Sequence, residues 1–188
     1  MTIKNYILIG AAVFAGNAMY HSATDSISST DSPVVEDQPQ AQHQVMLYTD
    51  KQQVSHTAKD VECLARNIYY EAGVESMLGK IAVGTITVNR VRTHAWGRKI
   101  CDVVYSPAQF SWTKEKKRGW VELKGRAWAD SKAAAEAVLN GLKVRQLDSA
   151  LYYHADYVQP KWRDDSKRVI KIGRHIFYTQ AKDTNIKL

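Results

Sequence analysis

Residues 57–73, TAKDVECLARNIYYEAG, determine how this chain begins to fold. Thr57 and the acidic residue three positions later match the capping box that starts many helices. Apolar residues then recur at helical spacing as far as Ala72, and Gly73 is a typical helix stop. The stretch therefore predicts an amphipathic helix that ends near Ala72, with one carboxyl side chain, Glu71, on the flank of its buried face.

Residues 77–92 form the next apolar segment, in which nearly every face of a helix would be apolar. Such a run is typical of a buried helix or of a buried strand, and its β-branched residues are common in strands. Its length favours a helix that is buried on all sides. Gly84 in its middle would let a neighbouring element pack closely against it.

The last part of the chain predicts a third helix followed by strands. Residues 132–139 are rich in alanine, with Asp130 or Ser131 as the N-terminal cap and Gly141 as the stop. Residues 150–156 and 168–178 have the composition of two strands. The predicted fold class is therefore α+β: a single compact, mostly helical domain with a small antiparallel sheet late in the chain.

The first 56 residues predict a leader and a linker. Residues 1–20 place Lys4 before an apolar run of signal-peptide length, and residues 16–18 offer the small side chains that a signal peptidase prefers. Residues 21–56 lack a periodic apolar pattern, so we expect a disordered linker. We therefore interpret residues 1–20 as a signal peptide or a transient membrane anchor rather than a buried helix. The folded domain, residues 57–182, would then be exported to the periplasm or the cell wall.

The folded domain is strongly basic. The chain has a net charge of +7, yet residues 1–58 hold two lysines against five acidic residues. Such a domain binds a polyanion: nucleic acid, an anionic membrane face or an anionic cell wall. Export argues against nucleic acid. Five tryptophans could stack on bases or on sugars, or pack half-buried in the core. They are Trp96, Trp112, Trp120, Trp128 and Trp162.

Glu71 is the first candidate for chemistry. A carboxyl group beside an apolar stripe is partly desolvated, which raises its pKa. A carboxylic acid that keeps its proton near neutral pH can act as a general acid on a glycosidic oxygen. The alternative is a glutamate at a helix end whose carboxylate extends into water.

A second candidate site combines two histidines with an aspartate. His154 and Asp156 are two residues apart on one predicted strand, and His175 lies on the predicted neighbouring strand. Two imidazoles and a carboxylate could bind zinc for a hydrolytic water. We favour the alternative, structural histidines with satisfied hydrogen bonds, because such spacing is common by chance.

Cys63 and Cys101 are the two cysteines of the chain. An exported protein reaches an oxidising compartment, where two cysteines tend to pair. We therefore predict a disulfide between them, the alternative being two buried thiols.

Several short segments carry a family signature: residues 64–72, 79–83, 88–91, 100–105, 109–112, 152–153, 160–162 and 172–178. In this order and spacing they resemble the catalytic domain of the spore-cortex-lytic and cell-wall hydrolase family. The resemblance implies a lysozyme-like fold related to the lytic transglycosylases. It also implies cleavage of peptidoglycan between N-acetylmuramic acid and N-acetylglucosamine.

The resemblance assigns the catalytic acid to Glu71, in the Tyr-x-Glu-Ala motif. A lytic transglycosylase needs only this carboxyl group, because a hydroxyl group of the muramic acid itself attacks the bond that breaks. A muramidase-type hydrolase needs a second carboxylate, for which Glu75, Asp102 and Asp156 are unsupported candidates. We favour the transglycosylase.

The remaining expectations concern the surroundings of Glu71. Gln109, Tyr153, His154 and Trp162 are predicted to contact the glycan, and no cofactor is expected. The glycan strands of peptidoglycan would be the partner of a monomeric protein. A zinc-dependent amidase that uses His154, Asp156 and His175 is the alternative enzyme, and a noncatalytic wall-binding module is the other class. Departures from the family's usual residues at positions 73, 74 and 80 suggest a different loop after the catalytic helix.

Overall fold

The computed structural model describes residues 44–114 and 122–180. The predicted leader, most of the predicted linker and Trp120 lie outside the described residues. The helices are α1 (Ala58–Ala72), α2 (Met77–Thr93), α3 (Ile100–Tyr105) and α4 (Arg126–Leu139). The strands are β1 (Leu47–Thr49), β2 (Leu142–Val144), β3 (Tyr152–Ala155), β4 (Ser166–Ile172) and β5 (His175–Gln180).

Helix α1 forms as its sequence predicts. The backbone N–H of Asp60 donates to Thr57 Oγ1 at 3.3 Å, and the backbone N–H of Thr57 donates to Asp60 Oδ2 at 3.0 Å. This reciprocal capping box satisfies two donors that a helix start otherwise leaves free. The helix ends at Ala72 with Gly73 as its C-terminal cap, and its apolar face is buried.

Helix α2 is the buried central element of the domain. Every residue from position 79 to position 91 is buried, which confirms the helix that the sequence favoured over a strand. A Cβ atom at Gly84 would lie 3.1 Å from Val138 Cγ2 and 3.2 Å from Ile68 Cδ1. The missing side chain therefore lets α2 pack closely against both α1 and α4.

Helix α4 begins earlier than the sequence predicts. Its N-terminal cap is Gly125, so the predicted cap at Asp130 or Ser131 is wrong. The buried hydroxyl of Ser131 donates to the carbonyl of Ala127 at 2.7 Å, one turn back. The hydrogen-bonding requirement of this hydroxyl is therefore met within the helix. The predicted end is confirmed, since the helix stops at Leu139 and Gly141 adopts a φ of 100°.

The late sheet has one strand more than predicted. Residues 168–178 read as one strand, but they fold back as the hairpin of β4 and β5 in an antiparallel sheet of order β3-β5-β4. The turn residues are Gly173 and Arg174, and Gly173 has a φ of +57°. Glycine adopts this left-handed conformation without steric cost, which makes a two-residue hairpin turn possible. The α+β class is confirmed.

The domain also extends further toward the N-terminus than predicted. Strand β1 pairs antiparallel with β2, although the sequence predicts a linker at these residues. Just after it, Asp50 Oδ2 accepts a hydrogen bond from Arg92 Nη1 at 2.8 Å and lies 3.6 Å from Lys143 Nζ. The buried ammonium of Lys143 needs such a partner. Strand β1 is therefore part of the folded domain, and the boundary at Thr57 is wrong.

A disulfide joins the first and third helices. Cys63 of α1 is bonded to Cys101 of α3, with Cα atoms 5.3 Å apart. The cross-link closes a long loop that contains all of α2, which restricts the unfolded chain. Among the described residues, each helix is too short or too polar to cross a membrane.

Candidate active site

A cleft of about 290 Å³ opens where α1, α2 and β3 meet the loop after α3. Each of these three elements contributes one polar side chain: Glu71, Arg90 and Tyr153 respectively. The loop supplies the opposite wall. Its lining residues are Ala108, Gln109, Phe110, Ser111 and Lys114. The structure thus brings together Glu71, Gln109 and Tyr153, three of the site residues that the sequence predicts.

Glu71 lies in the last turn of α1, beside the buried face of that helix. Burial raises the pKa of its carboxyl group. An interaction with the Tyr153 hydroxyl and the positive charge of Arg90 both lower that pKa, but desolvation has the larger effect. The carboxyl group therefore favours its protonated form more than an ordinary glutamate does, which suits a proton donor.

Tyr153 presents its hydroxyl to Glu71 from strand β3. Burial and the charge of Glu71 raise the pKa of the phenol well above its usual value, so it stays protonated. The hydroxyl interacts with Glu71 but has no hydrogen bond of regular geometry among the described residues. Its ring packs edge-on against His175, with centroids 5.2 Å apart. The ring is thus held in place, and the buried hydroxyl retains unused hydrogen-bonding capacity.

Arg90 is the cleft residue that sequence reasoning missed. Its Nε donates to the carbonyl of Leu151 at 2.8 Å, and its guanidinium lies 5.3 Å from the ring centre of Trp96 and 5.2 Å from that of Phe110. The residue is 6% exposed. The available signal was an arginine in the middle of a helix that the sequence predicts to be buried on all sides, because a buried arginine needs a specific partner.

Trp112 positions the loop that forms the opposite wall. Its indole N–H donates to Asn67 Oδ1 at 3.1 Å, and its ring stacks on Tyr70 with centroids 4.6 Å apart. Asn67 in turn donates through Nδ2 to Thr87 Oγ1 at 3.2 Å. The loop is thus attached to α1, and this anchor places Gln109 at the cleft.

His154 and Trp162 lie apart from the cleft. Side chains alternate between the two faces of a strand, so His154 points away from the side on which Tyr153 meets Glu71. The His154 ring bonds to the Tyr178 hydroxyl at 2.9 Å and packs against Trp162 with centroids 5.7 Å apart. Neither His154 nor Trp162 is therefore among the described residues that line the cleft with Tyr153, and their contact with the glycan stays a prediction.

The histidines proposed for zinc do not converge either. In the register of β3 and β5, His154 is opposite Ile176 and His175 is opposite Ala155, so the two imidazoles face opposite sides of the sheet. Asp156 forms an ion pair with Lys171 at 2.8 Å. Over the described ranges, no group of three histidine, cysteine or acidic side chains is placed to bind a metal ion.

The other candidate carboxylates are engaged elsewhere or exposed. Glu75 accepts a hydrogen bond from the backbone N–H of Arg174 at 3.1 Å, and Asp102 is exposed on α3. Lys80, where the sequence departs from the family pattern, donates to the carbonyls of Gly73 and Glu75 and so ties down the loop after α1. Among the described residues that line the cleft, Glu71 carries the only carboxyl group.

Comparisons with known proteins identify the family of this chain. The model of the Cell Wall Hydrolase family matches residues 74–178, more than half of the chain. The chain belongs to the cell wall hydrolase family. The match begins after Glu71 and includes three of the elements that build the cleft: α2, the loop after α3, and β3.

Curated relatives of this cell wall hydrolase are spore cortex-lytic enzymes. The enzyme of Bacillus cereus is 27% identical over 124 residues, which is 65% of this chain and 45% of that protein. The enzyme of Bacillus subtilis is 26% identical over 120 residues, which is 63% of this chain and 37% of that protein. The cell wall hydrolase thus spans less than half the length of these relatives.

Solved structures show the same fold. The catalytic domain of the germination-specific lytic transglycosylase SleB from Bacillus anthracis is 25% identical, with a TM-score of 0.57. The match covers 66% of this chain and 98% of that domain. The catalytic domain of Bacillus cereus SleB gives the same identity and TM-score over 93% of its length. The cell wall hydrolase therefore corresponds to the catalytic part of such proteins.

Proposed function

We propose that this cell wall hydrolase cleaves the glycosidic bond between N-acetylmuramic acid and N-acetylglucosamine in peptidoglycan, by lytic transglycosylation. The observation that carries the proposal is Glu71: among the described residues that line the cleft it has the only carboxyl group, and burial raises the pKa of that group. The relatives support it, because they are spore cortex-lytic enzymes and a lytic transglycosylase domain.

In the proposed reaction, Glu71 acts first as acid and then as base. Its proton goes to the bridging oxygen, and the bond from that oxygen to the muramic acid breaks with its electron pair moving to the oxygen. The 6-hydroxyl of the same muramic acid then attacks the electron-poor carbon, and its proton returns to the Glu71 carboxylate. The product carries a 1,6-anhydro ring, and water takes no part.

The number of carboxyl groups favours this route over hydrolysis. Glycosidases that hydrolyse the bond, whether retaining or inverting, place two carboxyl groups about 5–9.5 Å apart across it. Glu75 is held by the β4–β5 turn, Asp156 is paired with Lys171, and neither lines the cleft. Gln109 and Tyr153 offer neutral hydrogen-bonding groups to the sugar, which suits binding rather than activation of water.

The products decide between the two reactions. Purified peptidoglycan is digested in heavy-oxygen water, and the released fragments are weighed by mass spectrometry. We expect anhydro ends that contain no heavy oxygen. Reducing ends that carry one heavy oxygen each would assign the hydrolase, and fragments cut only within the peptide stem would contradict glycan cleavage altogether.

We further propose that the enzyme works outside the cytoplasm, where peptidoglycan lies. The leader predicted in residues 1–20 supports this location, as does the basic character of the chain, which matches an anionic wall. Export through this leader would bring residues 1–20 into contact with the inner membrane. We also propose that the exported domain acts as a monomer.

A further inference from the structure

Arg90 holds a buried positive charge for which the domain provides an incomplete set of partners. Its Nε bonds to the carbonyl of Leu151 at 2.8 Å. Its Nη1 is fully buried and has no hydrogen-bond partner among the described residues. A buried donor without a partner is costly, and more so when it belongs to a charged group. Such a group in a folded protein calls for an explanation.

The surroundings of Arg90 keep the guanidinium in one place. The rings of Trp96 and Phe110 each lie just over 5 Å from its central carbon. Leu151, which accepts from Nε, directly precedes strand β3 with its Tyr153. The residue before Arg90 is Asn89, whose Nδ2 donates to the carbonyls of Leu147 and Ala150 at 2.7 and 2.9 Å. The approach to β3 is thus fixed to α2.

Arg90 also faces the acid. It lines the same cleft as Glu71, and its positive charge favours the ionised form of that carboxyl group. Tyr153 faces Glu71 from β3, with His175 packed behind its ring, and the exposed Lys114 lines the opposite wall. Among the described groups around Glu71, Arg90 is therefore the cation that is buried, whereas Lys114 is exposed.

We propose that Arg90 is a positioning residue for the acid–base cycle: its guanidinium stabilises the carboxylate that Glu71 becomes once it has given up its proton. This inference rests on the proposed function. Before transfer, the protonated Glu71 is neutral and the buried Nη1 of Arg90 lacks an acceptor. After transfer, Glu71 is an anion in a desolvated cleft, where an opposite charge has its greatest effect. Returning the proton from the 6-hydroxyl of the substrate then restores the starting state.

The titration of Glu71 tests this role without any substrate. Protein carrying carbon-13 in its glutamate carboxyl groups is titrated by NMR, and the Glu71 signal is identified as the one that Glu71→Gln removes. We expect Arg90→Gln to raise the pKa of Glu71 by about one unit, at the lower end of the effect of a nearby opposite charge. Arg90→Lys, which keeps the charge, should leave the pKa close to that of the wild type.

Arg92→Gln is the matched control, since Arg92 lies on the same helix but pairs with Asp50. It should leave the titration of Glu71 unchanged. If Arg90→Gln does not fold, Arg90→Met replaces it in the experiment. Methionine has an unbranched apolar side chain that can occupy the space beside the rings of Trp96 and Phe110. A Glu71 pKa that is the same in the neutral variants and the wild type would overturn the proposal, as would an equal shift in Arg92→Gln.

Kinetics supply the second measurement. The loss in Arg90→Gln should fall on kcat rather than KM, because the charge acts on a state formed after the substrate has bound. An increase in KM with unchanged kcat would contradict the proposal. Absence of glycan cleavage by the wild type would instead defeat the proposed function, and the titration would still report on the pair.

Discussion

The hydroxyl of Tyr153 on strand β3 faces the carboxyl group of Glu71 in the last turn of helix α1. The two residues are far apart in the sequence but close in the fold, and each changes the pKa of the other. Burial dominates for both, so both favour the protonated form. The cleft therefore holds a carboxylic acid beside a phenol. The positive charge of Arg90 acts against burial, because it lowers the pKa of both groups.

The first prediction concerns the role of Glu71 as the proton donor. Glu71→Gln keeps the shape of the side chain but cannot give up a proton, so we expect the rate of peptidoglycan clearance to fall by at least the ~100-fold typical of general acid catalysis. The turbidity of a purified peptidoglycan suspension measures it. Glu62→Gln is the control, because Glu62 lies on the same helix and pairs with Arg66. Activity of Glu71→Gln near the wild-type level would remove Glu71 from the mechanism.

The second prediction concerns the pH dependence of activity. The Tyr153 hydroxyl favours the ionised form of Glu71, so Tyr153→Phe should raise the pKa of Glu71. Since the acid must be protonated to act, the basic limb of the pH–activity profile should move to higher pH. Tyr152→Phe is the control, because Tyr152 points to the other face of β3. A basic limb that stays in place, or moves to lower pH, would contradict the interpretation.

The third prediction concerns stability. The pKa of Glu71 is raised in the folded state, so its contribution to the free energy of unfolding is fully present below the unfolded pKa and is lost as the pH rises through the folded pKa. Glu71→Gln is neutral throughout and avoids that loss. Its melting temperature should therefore exceed that of the wild type at neutral pH, with a smaller difference in acid. A difference independent of pH would point to a packing effect instead.

The fourth prediction concerns the bond between Cys63 and Cys101. Protein recovered from the periplasm should show no free thiol when it is unfolded without reductant. Cys63→Ser combined with Cys101→Ser should lower the free energy of unfolding by about 2–5 kcal/mol, the usual cost of losing a native disulfide. Denaturant titration measures that loss. Two titratable thiols in the unreduced wild type would show that the pair does not form after export.

The fifth prediction concerns the leader. If residues 1–20 direct export and are then removed, mature protein from outside the cytoplasm should begin near Met19, after the small residues at positions 16–18. N-terminal sequencing checks this. An intact Met1 on soluble extracytoplasmic protein would indicate an anchor that is released, and intact protein confined to the cytoplasm would contradict export by this segment.

Some structural features follow from local sequence alone. Helix α1 is specified by a capping box at one end, a glycine at the other and an apolar stripe between them, and all three act within a few residues. The length and apolar character of residues 77–92 likewise specify a helix buried on all sides. The errors occur where a local signal was ambiguous. Ser131 is a good cap but equally satisfies its hydroxyl one turn back, and residues 168–178 read as one strand because a single glycine inside a strand pattern does not by itself mark a turn.

Local periodicity and a motif are enough to predict the α+β class, the principal helices and the choice of Glu71 as the candidate acid. The residues that meet Glu71, in contrast, follow from the fold of the whole domain. The alternation of β3 brings Tyr153 to the cleft and turns His154 away, and the packing of α2 delivers Arg90. Register and helix packing depend on contacts between distant segments, so the protonation chemistry of Glu71 exists only once the chain has folded.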